Sequence, residues 1–222
     1  MFIKIFFNIN ILNNTIFMEC NYYDILDFQK LEKLWKINFI NSITGFKPAN
    51  LIGTRSKNNK DNVAIFSSVV HLGSNPGLLG FTLRPQDERQ TDTYKNLKEN
   101  SFFTINSINI DSIDKAHQSS KKYTNDISEF TELNIEQYNY KKFNAPFVRD
   151  SDIKIGLKKV EQHLLYNKCI LVVGKIENII VNSSIIEKDG NINFDKSKIV
   201  CISGLYSYYK PKLIKKLNYV KS

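Results

Sequence analysis

Apolar positions in the first part of the chain recur at helical spacing. Ile25, Leu26, Phe28, Leu31, Leu34 and Trp35 follow this spacing. The preceding residue, Asp24, is typical of a helix N-cap. The spacing therefore predicts an amphipathic helix over residues 24–39.

The pattern becomes strand-like after residue 49. Runs of β-branched and aromatic residues are bounded by polar or glycine-rich stretches that are typical of turns. They predict strands at residues 50–56, 62–72, 78–83, 102–105, 153–157, 170–181 and 199–205, with turns at 57–61 and 73–77. Gly174 is expected at a bend in its strand. Short helices are predicted at residues 91–100, capped by Thr91, and 112–122, with a turn at 128–130 and an irregular segment at 131–148.

Helices are few in this series and do not alternate one for one with the strands. A parallel doubly wound sheet is disfavoured, because in that fold each strand is followed by a helix. We predict a mainly β fold with helical additions, built on an antiparallel barrel.

The two ends of the chain differ in pattern from the middle. At the start, the apolar run at residues 3–7 is interrupted by asparagines, and no small-residue cleavage site of a signal peptide follows. We expect residues 1–20 to be a flexible extension or the product of an upstream start codon. At the other end, Lys212, Lys215, Lys216 and Lys221 predict a solvated basic tail over 210–222. The predicted domain is then 21–209.

The net charge alone indicates an anionic partner, but the kinds of residue that carry the charge weaken that inference. Lys and Arg number 31 against 22 Asp and Glu, a net charge of +9. Only Arg55, Arg84, Arg89 and Arg149 are arginines, so 27 of the 31 cations are lysines. Together with abundant Asn and Ile, this bias is typical of an AT-rich genome. Dispersed lysines of this origin form a solvated surface.

Familiar catalytic and metal-binding signatures are absent. The sequence has no Walker loop, dinucleotide fingerprint, nucleophile elbow or zinc-protease motif. His71, His117 and His163 are scattered, and Cys20, Cys169 and Cys201 form no Cys-x-x-Cys pair. This usage predicts neither a metal centre nor a disulfide framework, and it favours a reducing, cytoplasmic location.

Hydroxyl and arginine side chains are concentrated between residues 53 and 120. A phosphomonoester carries close to two negative charges and needs several donors at once. Strand ends and a helix start supply such donors at Thr54, Arg55, Ser67, Ser68, Arg84, Arg89 and Thr93. The free N–H groups at the start of the 91–100 helix would add to them. Turn and edge residues of the same types give the alternative interpretation, a purely structural one.

Eight short stretches occur in a defined order between about residues 40 and 209. They are Asn-Leu-Ile-Gly-Thr-Arg (50–55), Asn-Val-Ala-Ile-Phe-Ser-Ser (62–68), Gly-Ser-Asn-Pro-Gly-Leu-Leu (73–79), Thr-Asp-Thr-Tyr-Lys-Asn-Leu-Lys-Glu-Asn (91–100), Phe-Phe-Thr-Ile-Asn (102–106), His-Gln-Ser-Ser (117–120), Ser-Glu-Phe (128–130) and Ala-Pro (145–146). In this order and spacing they closely resemble the flavin reductase-like family of FMN-binding split-barrel proteins.

The resemblance implies a dimeric, Greek-key split β-barrel with FMN at the homodimer interface. It assigns the FMN phosphate to Thr54, Arg55, Ser67, Ser68 and Thr93, and the ribityl chain or isoalloxazine to His117, Ser119 and Ser120. One departure stands out. Thr91 occupies the position of the family's helix-start lysine, so we expect Arg84 or Arg89 to supply the missing charge.

Three functions are compatible with the sequence. The resemblance favours an NAD(P)H-dependent flavin oxidoreductase, in which FMN accepts hydride from the nicotinamide and passes electrons to an acceptor. The alternative within the same fold is an FMN-carrying electron-transfer or storage protein. A third interpretation takes the basic β-barrel as a nucleic-acid binder. We expect a homodimer that binds flavin and nicotinamide, with neither nucleic acid nor a membrane as a partner.

Overall fold

The computed structural model describes residues 3–11, 14–121, 123 and 127–218. By its internal contacts the chain divides into two units, Met1–Gly45 and Phe46–Ser222. The predicted helix end at Lys122 and Lys221 of the predicted tail lie outside the described residues. In the described part of the chain, no helix is long and apolar enough to cross a membrane.

The described part of the first unit contains two paired strands and two short helices. Strands β1 (Ile3–Ile11) and β2 (Asn14–Tyr22) pair antiparallel in the segment for which a flexible extension or the product of an upstream start codon stays the prediction. Two helices follow, α1 (Ile25–Gln29) and α2 (Lys33–Ser42).

The prediction of a single helix over 24–39 was wrong. Asp24 caps α1 as expected, because its side chain accepts a hydrogen bond from the Leu26 N–H. A second cap, however, lies within the predicted helix. The Glu32 carboxylate accepts from the N–H groups of Leu34 and Trp35, at 2.8 and 2.7 Å, and so begins a new helix there.

The second unit is mainly β. Its strands are β3 (Lys47–Pro48), β4 (Asn50–Arg55), β5 (Asp61–Phe66), β6 (Val70–Ser74), β7 (Gly77–Leu83), β8 (Phe102–Ser107), β9 (Gln137–Tyr138), β10 (Phe147–Val148), β11 (Ile153–Leu164), β12 (Ile170–Val181), β13 (Cys201–Ser203) and β14 (Ser207–Tyr209). Its helices are α3 (Asp92–Glu99), α4 (Ile113–Gln118) and α5 (Glu129–Glu132), with single 3-10 turns at Ile110–Ser112 and Ser183–Ile185.

Seven of these strands form one antiparallel sheet in the order β5-β4-β8-β11-β12-β7-β6. Strands β14, β13 and β3 form a small second sheet, and β9 pairs with β10. The prediction of a mainly β, antiparallel fold is confirmed. Because β5 and β6 are the two edges of the large sheet, yet only residues 67–69 separate them, the sheet must be rolled. Four Cα steps span at most about 15 Å.

This connection also corrects the predicted strand 62–72, which is two strands. The chain leaves β5 after Phe66 and crosses to the opposite edge, where it enters β6 at Val70. Ser68 secures the crossing, since its hydroxyl accepts from the Thr82 N–H at 3.0 Å and donates to the Thr82 carbonyl at 3.2 Å.

The sheet is packed on both faces. Neighbouring residues of β4 point in opposite directions, so Leu51 and Ile52 enter different cores. Ile52 packs in the cluster that contains Phe81 and Phe103, inside the rolled sheet. Leu51 packs with Phe130 and other residues beneath α4 and α5.

The pairing of β12 with β11 shifts at Gly174, because Lys159 pairs with Gly174 and Glu161 pairs with Val173, which leaves Val160 as the extra residue on β11. Gly174 also allows close packing, since a Cβ at this position would lie 2.4 Å from Cζ of the buried Phe103 ring.

Other predicted boundaries also shift. The helix predicted at 112–122 is shorter and follows a 3-10 turn, and the turn at 128–130 becomes α5. The irregular segment 131–148 includes the paired strands β9 and β10.

Candidate functional site

One buried glutamine joins the end of β7 to the start of α3. Gln86 is 7% exposed, and its Nε2 donates to the Arg84 carbonyl at 2.6 Å. Its Oε1 accepts from the Thr91 N–H at 2.8 Å and from the Thr91 hydroxyl at 3.2 Å. Arg84 and the helix start are therefore held within the reach of a single side chain.

The start of α3 presents unused donors. Thr91 is the N-cap, as predicted, and its hydroxyl accepts from the Tyr94 N–H at 3.3 Å. Within the described ranges, the N–H groups of Asp92 and Thr93 have no acceptor. Together with the positive end of the helix dipole, these N–H groups favour an anion.

Ser67 and Arg84 lie on the same margin of the sheet and are also free. Ser68 bonds to the backbone of Thr82, which lies two residues before Arg84. The Ser67 hydroxyl and the Arg84 guanidinium make no hydrogen bond or ion pair to any described residue. The Ser68–Thr82 and Arg84–Gln86–Thr91 hydrogen bonds thus link the backbone near Ser67, Arg84 and the start of α3.

Thr54 and Thr93 meet in the interior. The Thr54 hydroxyl accepts from Asn62 Nδ2 at 3.2 Å and from Asn96 Nδ2 at 3.0 Å. The same Asn62 nitrogen lies 3.2 Å from the Thr93 hydroxyl. Because Thr54 and Thr93 are 0% and 2% exposed, this network braces α3 against β4 and β5.

Sequence reasoning missed Asn62 and Asn96 as members of this network. The signal for Asn62 was its place across the predicted hairpin, directly opposite Thr54 in the β4–β5 register.

Sequence reasoning also did not select Lys60 as a candidate site residue. It lines a cavity of about 240 Å³ between the hairpin and α3, and its buried Nζ has no hydrogen-bond partner among the residues described.

Arg55 and Arg89 have other partners. Arg55 lies on the opposite face of β4 from Thr54, because the side chains of a strand alternate. Its Nε is 2.6 Å from Asp61 Oδ1, and its second terminal nitrogen donates to Asn139 at 2.8 Å. Arg89 Nη2 donates to the Tyr123 carbonyl at 3.4 Å. The structure does not bring Arg55 to the α3 start.

His117, Ser119 and Ser120 cluster at the end of α4. His117 Nδ1 lies 3.0 Å from the Tyr208 hydroxyl. The Ser119 and Ser120 hydroxyls donate to the carbonyls of Ala116 and His117, each at 2.7 Å. Burial raises the pKa of Tyr208 above its ordinary value, so this phenol remains a proton donor at neutral pH. Tyr208 carried no signal in the sequence, since it is 91 residues from its partner.

Comparison with known proteins identifies the fold and the family. The family model described as "Flavin reductase like domain" matches residues 46–199, which include every strand of the large sheet. The chain belongs to the flavin reductase-like family.

Individual proteins resemble the chain to different extents. A split-barrel protein of Shewanella frigidimarina NCIMB 400, assigned as a flavin reductase, is 36% identical with a TM-score of 0.85, over 90% of this chain and 99% of that one. The flavoredoxin of Desulfovibrio vulgaris (Miyazaki F) shares the fold at 20% identity and a TM-score of 0.68, over 78% of this chain and 91% of that one. The uncharacterised protein YwrF of Bacillus subtilis (strain 168) is 24% identical over 54% of this chain and 58% of its own length.

These comparisons confirm the predicted split-barrel fold of a flavin reductase-like protein. Its structural neighbours include flavin reductases and flavoredoxins. The dimer, the nicotinamide and the individual site residues stay predictions.

Proposed function

We propose that this protein binds FMN and acts as an NAD(P)H-dependent flavin oxidoreductase. Membership in the flavin reductase-like family supports this function. The observation that carries it is the group of free donors around the α3 start: the Ser67 hydroxyl, the Arg84 guanidinium and the N–H groups of Asp92 and Thr93.

This donor set fits a phosphate monoester. Such a group has three acceptor oxygens and close to two negative charges, so it needs both hydrogen-bond donors and a cation. Arg84 supplies the positive charge that Thr91 lacks. Thr54 and Thr93 act through Asn62 and Asn96, which hold the helix in place beneath the phosphate.

The rest of FMN is assigned to the margin of β5 and α4. His117, with Tyr208 behind it, and the backbone around Ser119 and Ser120 would orient the ribityl chain or the ring. FMN itself supplies the hydride chemistry when bound. The task of the protein is to bind and orient the cofactor and to leave one face of the ring open to a nicotinamide.

We further propose a homodimer that acts in the cytoplasm. The three free cysteines of the chain are consistent with a reducing compartment. A nicotinamide and a flavin are its proposed small-molecule partners.

Purification and a reduction assay test the proposal. The purified protein is expected to be yellow, and NADH or NADPH should bleach it in the absence of oxygen. A colourless protein with no affinity for FMN would overturn the proposal. A yellow protein that dithionite reduces but nicotinamides do not would instead indicate an FMN-carrying electron-transfer protein.

A further inference from the structure

The second unit contains an apolar cavity of about 390 Å³. Residues of β4, β7, β8 and β11 line it, together with the paired strands β3 and β13 and residues of the adjoining segments. The apolar lining includes Val69, Leu79, Ile105, Ile153, Ile155 and Phe194. Cavities of this size and character are typical of small-molecule sites.

Asn50 is the polar group in this lining that lacks a partner. Its side chain is 8% exposed, and its buried Nδ2 has no hydrogen-bond partner among the residues that the structure describes. The other polar lining groups are engaged, since the Ser107 hydroxyl accepts from the Ile153 N–H at 3.0 Å and Lys47 Nζ donates to the Gly204 carbonyl at 3.1 Å. An unpaired buried donor destabilises the folded state, because it loses its hydrogen bond to water and gains none in the protein.

The cavity has different walls from the proposed phosphate site. Neither Ser67 nor Arg84 lines it, and its apolar lining suits an uncharged molecule. Lys47 lies in the lining as well, and burial lowers the pKa of its amine below the ordinary value.

We propose that this cavity binds a compact aromatic or alicyclic molecule whose carbonyl oxygen accepts a hydrogen bond from Asn50 Nδ2. The apolar walls take the ring, and the carbonyl satisfies the donor that the fold leaves unpaired. A hydrocarbon of the same shape would leave Asn50 unsatisfied and should bind more weakly.

Two probes of nearly equal shape isolate this hydrogen bond. Acetophenone carries the carbonyl, and α-methylstyrene replaces it with a methylidene group. In calorimetric titrations of the full chain with its flavin as purified, we expect acetophenone to bind about five to ten times more tightly. Equal affinities, or no binding of either probe, would overturn the proposal.

Two variants locate the binding. Asn50→Leu should abolish the preference for acetophenone and leave the thermal stability equal or higher, because it removes an unpaired buried polar group. Leu79→Trp should fill the cavity and weaken both probes, with flavin content unchanged. A preference that survives in Asn50→Leu, or release of flavin by acetophenone, would place the ligand elsewhere and overturn the assignment.

Discussion

Arg84 and Arg89 lie in the same loop but have different neighbours. The Arg89 guanidinium donates to the Tyr123 carbonyl, whereas the Arg84 guanidinium has no partner among the residues described. A charged hydrogen bond to a phosphate contributes about 1.5–3 kcal/mol. We therefore expect Arg84→Ala to weaken FMN binding about 10- to 100-fold in a fluorescence titration.

Arg89→Ala is the matched control, because it removes the same charge from the same loop. Its effect on the FMN dissociation constant should be several-fold smaller. An Arg89→Ala effect as large as that of Arg84→Ala would mean that overall charge, and not a contact of Arg84, governs binding.

Glu129 makes the stability depend on pH. Burial raises the pKa of its carboxyl above the ordinary value of 4.5, although its own N–H and that of Val63 donate to it and partly oppose the shift. The folded state therefore prefers the protonated form. The resulting stabilisation is complete below pH 4.5 and is lost as the pH rises through the folded-state pKa.

Glu129→Gln should remove this dependence. Relative to this variant, the native protein should lose free energy of unfolding as the pH increases from 4.5. Urea unfolding at a series of pH values measures the difference, with Glu132→Gln in the same helix as an exposed control for the lost charge. Parallel pH profiles of native protein and Glu129→Gln would contradict the argument.

At the scale of residues, the sequence indicated which side chains have suitable chemistry better than it indicated where those side chains point. Ser67, Ser68 and Arg84 could be selected as candidates, and the Thr91 cap could be predicted, because hydroxyls and arginines beside turns are visible in the sequence. The ion pair of Arg55 with Asp61 was not predicted, because the two residues become neighbours only in the β4–β5 register. Gln86 was missed, since a glutamine in a loop shows nothing of the two backbone groups that it joins.

At the scale of elements, local signals predicted α3 and the long strands. The predictions failed where a single periodic run contained an interruption. In α1 and α2, the second cap at Glu32 was hidden by continuing apolar spacing. In residues 62–72, the apolar character of Val69 and Val70 concealed the crossing between two sheet edges.

Gly174 allows the packing of two elements against each other. An added methyl group would press against the buried Phe103 ring, 2.4 Å from its Cζ. Gly174→Ala should lower the free energy of unfolding by about 1–3 kcal/mol, as overpacked cores do. Chemical denaturation of the two proteins measures this change.

Gly73→Ala provides a comparison within another strand. There a Cβ meets only the Pro76 carbonyl oxygen, at 3.6 Å, which is an ordinary contact. Its effect on the free energy of unfolding should stay within about 0.5 kcal/mol. Equal losses in the two variants would show that strand glycines are needed for a reason other than the Phe103 contact.

At the scale of the whole molecule, both hydrophobic clusters lie within the second unit. A chain that begins at Phe46 keeps every residue of these clusters. We expect it to unfold cooperatively, with a midpoint close to that of the full chain, as followed by circular dichroism. A chain without cooperative unfolding would show that the first 45 residues contribute to the barrel.

The order of the strands was beyond sequence reasoning. Alternating patterns indicate that a strand has a buried face, but they do not say which strand lies beside which. The rolled sheet is specified by long-range contacts such as the bond of Ser68 to Thr82. The resemblance to a family supplied this part of the fold in advance.

The short crossing at residues 67–69 lies at the margin of the rolled sheet. The proposed cofactor site lies at this same margin. Ser67 belongs to the crossing, whereas Arg84 follows β7. A phosphate held by both would join them, so any local opening there must first expel the cofactor. By mass action, a cell with ample flavin would hold the barrel closed and so protect it from proteolysis. Flavin starvation would shorten the lifetime of the protein.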